Sequence, residues 1–139
     1  MISRILIGAS AAIMVFLGGI HLAYTFFTHK FSPSDRQLET AMKQVAPRIS
    51  GDMTMWKGWI GFNISHSMGL IMFGLIFGYL AVCRWEMLRQ SHFLAGLGLV
   101  VLVAYMLVAR IYWFRSPLIG VALATLCYLA GLVAIIVRD

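Results

Sequence analysis

The sequence has few charged residues and very few acidic ones. Charged residues make up 12% of its 139 residues, only five of them are Asp or Glu, and hydrophobic residues make up 61%. Soluble domains average about 25% charged and about 45–50% apolar residues. The composition therefore excludes an ordinary soluble domain, and it predicts a membrane protein if the apolar residues form runs of about 20.

The sequence also lacks the common signatures of catalytic and nucleotide-binding sites. It contains no P-loop, no Gly-x-Gly-x-x-Gly, no Gly-x-Ser-x-Gly and no Cys-x-x-Cys. Its two cysteines, Cys83 and Cys127, are predicted at different depths, so an internal disulfide is not expected. No carboxylate occurs in any long apolar run, which excludes the usual acid–base pair of an enzyme. A lone histidine base with Arg110 as oxyanion stabiliser leaves enzymatic activity open.

Four long apolar runs are present. Asp, Glu, Lys and Arg are absent from residues 5–27, 58–83, 90–109 and 116–137. Each run can cross a hydrocarbon core of about 30 Å as a helix, the fold in which the backbone satisfies its own hydrogen bonds in lipid. The first run is expected to be retained, because no signal-peptide cleavage site follows it. We predict one membrane domain, residues 1–139, with spans at about 5–27, 58–83, 90–113 and 117–137.

The connections between these runs predict an all-α, four-helix antiparallel transmembrane bundle. Residues 84–90 and 114–117 are short connections, which force neighbouring helices to be antiparallel. The long connection, residues 28–57, contains a capping-box pattern at Ser34 and Gln37. Apolar residues then recur at helical spacing: Leu38, Ala41, Met42, Val45 and Ile49. We predict a short amphipathic helix over 34–46, either on the membrane surface or packed over the bundle.

Lys and Arg are unevenly divided between the two predicted sides of the membrane. Seven lie on the side of the long connection, and four lie on the terminal side: Arg4, Arg84, Arg89 and Arg138. The positive-inside rule therefore favours residues 28–57 in the cytoplasm. The net charge of +6 suits contact with anionic lipids. Nucleic acid is not an expected partner, because no basic domain projects from the membrane.

Polar side chains interrupt the second apolar run in GWIGFNISHSMG, residues 58–69. Counted from the helix ends, His66 lies about 10 Å, His21 about 9 Å and Arg110 about 6 Å below the same surface. Asn63 shares a helix stripe with His66, and the candidate hydrogen-bond partners of His66 are Asn63 and Ser67 on its own helix and His21 across the helix interface. The predicted ligand-binding residues are His21, Trp59, Asn63, His66, Ser67 and Arg110. Close approach of the first two helices is predicted at Gly18, Gly19, Gly58, Gly61 and Gly69.

Several interpretations of these polar residues remain open. They can be interhelical contacts, each contributing roughly 0.6 kcal/mol. His21 and His66 can instead ligate a b-type haem or a metal ion, although a bare divalent ion would lack further ligands. The cluster can also bind a quinone, an isoprenoid or a lipid headgroup. We favour a pocket for a small hydrophobic ligand or redox cofactor. The alternative is a non-catalytic accessory subunit of a larger membrane complex, and a homo-oligomer is also compatible with the sequence.

Two segments resemble a family of small bacterial four-helix integral membrane proteins of unknown activity. They are WKGWIGFNISHSMGLIMFGLIFGYL, residues 56–80, and GGIHLAYTFF around His21. With the connection between them they cover just over half of the chain. The resemblance implies the bacterial inner membrane and a four-span architecture. It implies no activity, cofactor or binding residue.

Overall fold

The computed structural model describes residues 1–138, with side chains up to residue 137. The described chain has six α-helices and no β-strand: α1 Ile2–Phe27, α2 Arg36–Gln44, α3 Met55–Cys83, α4 Trp85–Gln90, α5 His92–Tyr112 and α6 Arg115–Arg138. The last residue of the predicted domain, Asp139, and the side chain of Arg138 lie outside the described part. By length and composition, α1, α3, α5 and α6 can each cross a membrane, which confirms the prediction of four such helices.

Local side chains explain where the long helices begin and end. The Ser91 hydroxyl accepts a hydrogen bond from the Leu94 amide at 3.2 Å and so caps the start of α5. α6 begins at Arg115, two residues before the predicted start. Pro117 is tolerated there because the first turn of a helix has amides without intrahelical partners.

The structure corrects the interpretation of residues 84–90 as a plain connection. They contain the six-residue helix α4, in which Leu88 is completely buried. Arg89 and Glu86, three residues apart, form an ion pair at 2.9 Å on the exposed side. The helix was missed because one turn and a half contains too few residues to establish a period.

The amphipathic helix in the long connection exists but begins later and ends earlier than predicted. It covers Arg36–Gln44 instead of 34–46, and its N-cap is Asp35, not Ser34. The Asp35 carboxylate accepts a hydrogen bond from the Gln37 amide at 2.7 Å. The helix ends before Pro47, which disfavours helical backbone in the residue before it. No residue of α2 is buried, and the apolar Leu38 and Val45 are 52% and 55% exposed.

Two compact units make up the described chain. The first contains Met1–Leu17 and the residues from Leu70 onward, and it holds the apolar core. In this core the Tyr128 hydroxyl donates to the Ala95 carbonyl at 3.2 Å. The Phe77 ring packs edge-on against Tyr128, with ring centres 5.6 Å apart. These contacts join α3, α5 and α6.

The close approach of α1 to α3 in the first unit occurs at Gly74. A Cβ atom on Gly74 would lie 2.5 Å from the Ala11 carbonyl oxygen, so only glycine fits there. The glycines predicted from the sequence, as far as the structure shows their surroundings, do not lie against a neighbouring backbone. A Cβ on Gly19 or Gly61 would meet no atom within 4 Å, and one on Gly58 would meet only the Met53 side chain. Sequence spacing does not reveal which glycine faces the neighbouring backbone.

The second unit, Gly18–Gly69, contains the end of α1, all of α2 and the first half of α3. Two hydrogen bonds fasten its long connection. The Met55 amide donates to the Val45 carbonyl at 2.8 Å, which closes the segment between α2 and α3. The Trp59 indole N–H donates to the Phe31 carbonyl at 2.8 Å. The residues after α1 are thereby held next to α3.

Candidate functional site

Five of the six predicted ligand-binding residues lie in the second unit. His21 is on α1, and Trp59, Asn63, His66 and Ser67 are on α3. The sixth, Arg110, is an exposed residue near the end of α5 and belongs to the first unit. Its role in the site stays a prediction.

Asn63 lies at the centre of the site and fixes the orientation of His21. Its side chain is 1% exposed. The amide Nδ2 donates to the Trp59 carbonyl at 2.8 Å, and Oδ1 lies 2.9 Å from His21 Nε2. A carbonyl oxygen only accepts hydrogen bonds, so the amide nitrogen must face Trp59 and the amide oxygen must face His21. His21 Nε2 therefore carries the hydrogen, and in the neutral ring the lone pair is on Nδ1.

The hydroxyl groups around Asn63 and His21 are satisfied within their own helices. Ser67 donates to the Asn63 carbonyl and Thr25 donates to the His21 carbonyl, both at 2.9 Å and four residues back along the helix. Both side chains are buried. This back-bonding explains how hydroxyls are accommodated in an apolar helix. Ser67, a candidate partner of His66, thus donates its hydroxyl hydrogen to the backbone of its own helix.

His66 is the more exposed of the two histidines. Its side chain is half-buried, whereas His21 is 8% exposed. The two rings lie 5.1 Å apart between centres and are inclined by 59°. The ring of Phe62, which is 57% exposed, lies 6.2 Å from His66 and nearly parallel to it. Asn63, one of the candidate partners of His66, instead reaches across to α1, where its side-chain oxygen bonds His21.

Phe31 is part of the site and was not predicted from the sequence. Its ring lies over His21, with ring centres 4.4 Å apart. The Trp59 indole holds its carbonyl, and the Tyr24 ring lies 6.4 Å away with the Lys30 ammonium over its face at 3.9 Å. Phe31 is in an irregular segment, so helical periodicity gave no signal for it. We call His21, Asn63, His66 and Phe31 the histidine cluster.

The cluster offers limited metal-binding capacity. Among the described residues, no group of three or more His, Cys, Asp or Glu side chains is placed to hold a metal ion. Structural zinc sites use four protein ligands and catalytic ones use three. His21 Nε2 already donates to Asn63. Joint ligation of one haem iron by His21 and His66 would have to use His21 Nδ1 or break the bond to Asn63, and it would require the two rings, 5.1 Å apart between centres, to separate around the porphyrin. Ligation by His66 alone needs neither change.

No protein family, no curated protein and no solved structure matches this chain. The function proposed below is therefore based on the geometry of the histidine cluster. The resemblance of residues 56–80 to a family of small bacterial membrane proteins stays an expectation.

Proposed function

We propose that the chain is a multi-pass protein of the bacterial inner membrane, with its four long helices in an antiparallel bundle. Contacts of α1 support this arrangement. Leu17 meets Gly120 near the start of α6, and Ile7 meets Gly131 near its end. Arg4 donates to the carbonyl of Val82, while Ala11 lies against Gly74, so α1 and α3 also run in opposite directions. Residues 28–57 then face the cytoplasm, as the distribution of Lys and Arg favours.

In this arrangement α2 lies on the membrane surface. The exposed apolar residues Leu38 of α2 and Val45, which follows its last residue, contact lipid, and Lys43 pairs with Glu39 on the polar side. The absence of buried residues in α2 supports this placement over packing against other helices.

Within this membrane protein, the histidine cluster binds the polar end of a small hydrophobic molecule dissolved in the bilayer, such as a quinone or a lipid. The observation that carries this proposal is the pair of adjacent imidazoles, of which His21 is hydrogen-bonded to Asn63 while His66 is half-buried. Ionisable groups inside a transmembrane helix are costly and mark functional sites by default. An imidazole both donates and accepts hydrogen bonds and transfers protons near neutral pH. His66 is therefore suited to an oxygen atom of a quinone or an ester.

The surroundings of the cluster favour a ligand that arrives from lipid. Phe31 covers the ring of His21 and is held in place by Trp59. His66 lies beside Phe62, more than half of which is exposed. In a membrane an exposed apolar side chain faces acyl chains, so a hydrophobic ligand meets His66 without crossing water. This route disfavours a water-soluble substrate.

The test is to identify what the purified protein carries. We expect the protein in mild detergent to retain a quinone or a particular lipid at about one molecule per chain, detected by extraction and mass spectrometry. A Soret band in the visible spectrum would instead indicate haem, which His66 would be the residue to hold. A colourless protein without an enriched lipid or quinone would contradict the proposal and favour the accessory-subunit alternative.

A pair of variants ties the ligand to the cluster. His66→Ala should lose the bound molecule and still insert into the membrane, because insertion depends on the apolar run. Ser65→Ala is the matched control, since Ser65 is exposed and its hydroxyl donates only to the Phe62 carbonyl of its own helix. Ligand retained by His66→Ala at the level of Ser65→Ala would reject His66 as a ligand-binding residue.

A further inference from the structure

The first unit contains a hollow that no residue of the histidine cluster lines. It is an open hollow of about 670 Å³ lined by Arg4 and residues 82–87. Those residues include the end of α3, the turn at Arg84 and the start of α4. The hollow thus lies where α1 begins and α3 ends. If these helices span the membrane, as proposed above, it lies at the membrane–water interface on the terminal side.

Two guanidinium groups dominate the charge of this hollow. Arg4 donates to the Val82 carbonyl, which uses part of its five-donor fork. Arg84 is exposed and occupies the N-cap position of α4 without making a side-chain cap bond. The single carboxylate in the lining, Glu86, accepts two bonds from Arg89, at 3.1 and 2.9 Å. Because Arg89 offsets Glu86, no carboxylate among the lining residues is left to compensate the charge of Arg4 and Arg84.

The rest of the lining is apolar or aromatic. Val82 and Met87 are exposed apolar residues, and Trp85 is half-buried. Tryptophan is enriched at membrane interfaces, where its ring contacts both apolar and polar groups. A lining with two guanidinium groups and apolar walls fits a molecule with an anionic head and an apolar body. Guanidinium groups bind phosphate oxygens in a bidentate manner, which a single ammonium group does not achieve.

We propose that this hollow binds the phosphate group of an anionic phospholipid, with Arg4 and Arg84 as its ligands. The acyl chains extend along the exposed apolar surface of α3. The bound lipid joins the start of α1 to the turn between α3 and α4. This proposal depends on the membrane placement and is independent of the ligand of the histidine cluster.

The experiment measures lipid binding by native mass spectrometry of the full chain in detergent. Phosphatidylglycerol, phosphatidylcholine and inorganic phosphate are titrated separately. We expect phosphatidylglycerol to bind more tightly than phosphatidylcholine. Arg84→Gln should weaken phosphatidylglycerol binding by roughly fivefold, the contribution of about one cationic side chain near an anionic lipid surface. Arg48→Gln, which removes an equal charge from the exposed segment after α2, should leave it unchanged.

Three results would overturn the proposal. The first is equal binding of the two lipids, and the second is an equal effect of Arg84→Gln and Arg48→Gln on phosphatidylglycerol binding. The third is binding of inorganic phosphate as tight as that of phosphatidylglycerol, which would assign the site to free phosphate. A cross-linking experiment on the wild-type protein tests the site even if Arg84→Gln does not fold. Phosphatidylglycerol with a photoreactive headgroup should cross-link to the peptide containing residues 82–87. Cross-links confined to other parts of the chain would also reject the site.

Discussion

The side chains of Asn63 and His21 connect α3 to α1 through one hydrogen bond of 2.9 Å between residues 42 positions apart in the sequence. The bond does more than join two helices. Because the other end of the Asn63 amide is held by the Trp59 carbonyl, the bond sets which nitrogen of His21 carries its hydrogen. Asn63 is therefore the residue that positions the histidine cluster, and His66 is the residue that it leaves more accessible.

Replacing Asn63 tests this role. Asn63→Ala should destabilise the protein by about 1 kcal/mol, because interhelical hydrogen bonds in membranes average about 0.6 kcal/mol and a stranded buried donor adds to that loss. Ser65→Ala on the exposed side of α3 should change stability by less than about 0.5 kcal/mol. Equilibrium unfolding in mixed detergent micelles measures both. Equal effects of the two substitutions would show that the bond to His21 contributes nothing to stability.

The position of Phe31 over His21 should depend on the indole of Trp59. Trp59→Phe keeps an aromatic ring and removes the N–H that donates to the Phe31 carbonyl, a bond worth about 0.5–1.5 kcal/mol. We expect amide hydrogen exchange in residues 29–33 to become faster by roughly two- to tenfold if opening of this segment limits exchange.

Trp56→Phe is the matched control for this change. Trp56 lies on the same helix, and its ring contacts Lys43 in α2, with the Lys43 nitrogen 5.0 Å from the ring centre. Exchange in residues 29–33 should stay unchanged in this variant. If both variants exchange at the wild-type rate in that segment, the Trp59 indole does not hold Phe31 in place.

The contact between α1 and α3 should not tolerate a methyl group at Gly74. In Gly74→Ala the new Cβ would lie 2.5 Å from the Ala11 carbonyl oxygen and 2.9 Å from the Val15 nitrogen, both of which are backbone atoms. Overpacking of this kind costs about 1–3 kcal/mol. Gly78→Ala, one turn later, would place its Cβ 3.6 Å from the Ala11 methyl, an ordinary contact. Thermal unfolding in detergent should therefore separate the two variants, and similar melting temperatures would contradict this packing.

The cap of α2 should reside in Asp35. Asp35→Ala removes the bond to the Gln37 amide and should weaken the helix by about 1 kcal/mol. Ser34→Ala, at the position that the capping-box pattern suggested, should have little effect. Hydrogen exchange across residues 37–44 measures both. A larger effect of Ser34→Ala than of Asp35→Ala would show that Ser34 is the cap, as the sequence pattern predicted.

Some features of the protein were determined by the sequence alone. The absence of charge from four long windows was enough to predict four helices able to cross a membrane, because a run of that length and hydropathy has no other stable backbone conformation in lipid. Depth counted from the helix ends placed His21 and His66 near the same level, and in the structure their rings are neighbours. Local periodicity was also sufficient for α2, although Asp35 and Ser34 are both good caps and adjacent, so the pattern did not distinguish them.

The tertiary structure decided the remaining features. The packing of α3 against α1 determines that Asn63 bonds His21, and that Gly74 instead of Gly61 lies against the α1 backbone. The fold of an irregular segment determines that Phe31 covers His21. These features depend on contacts between residues far apart in the chain. Each contact contributes only about 1 kcal/mol, and it cannot be read from the periodicity or the composition of either segment alone.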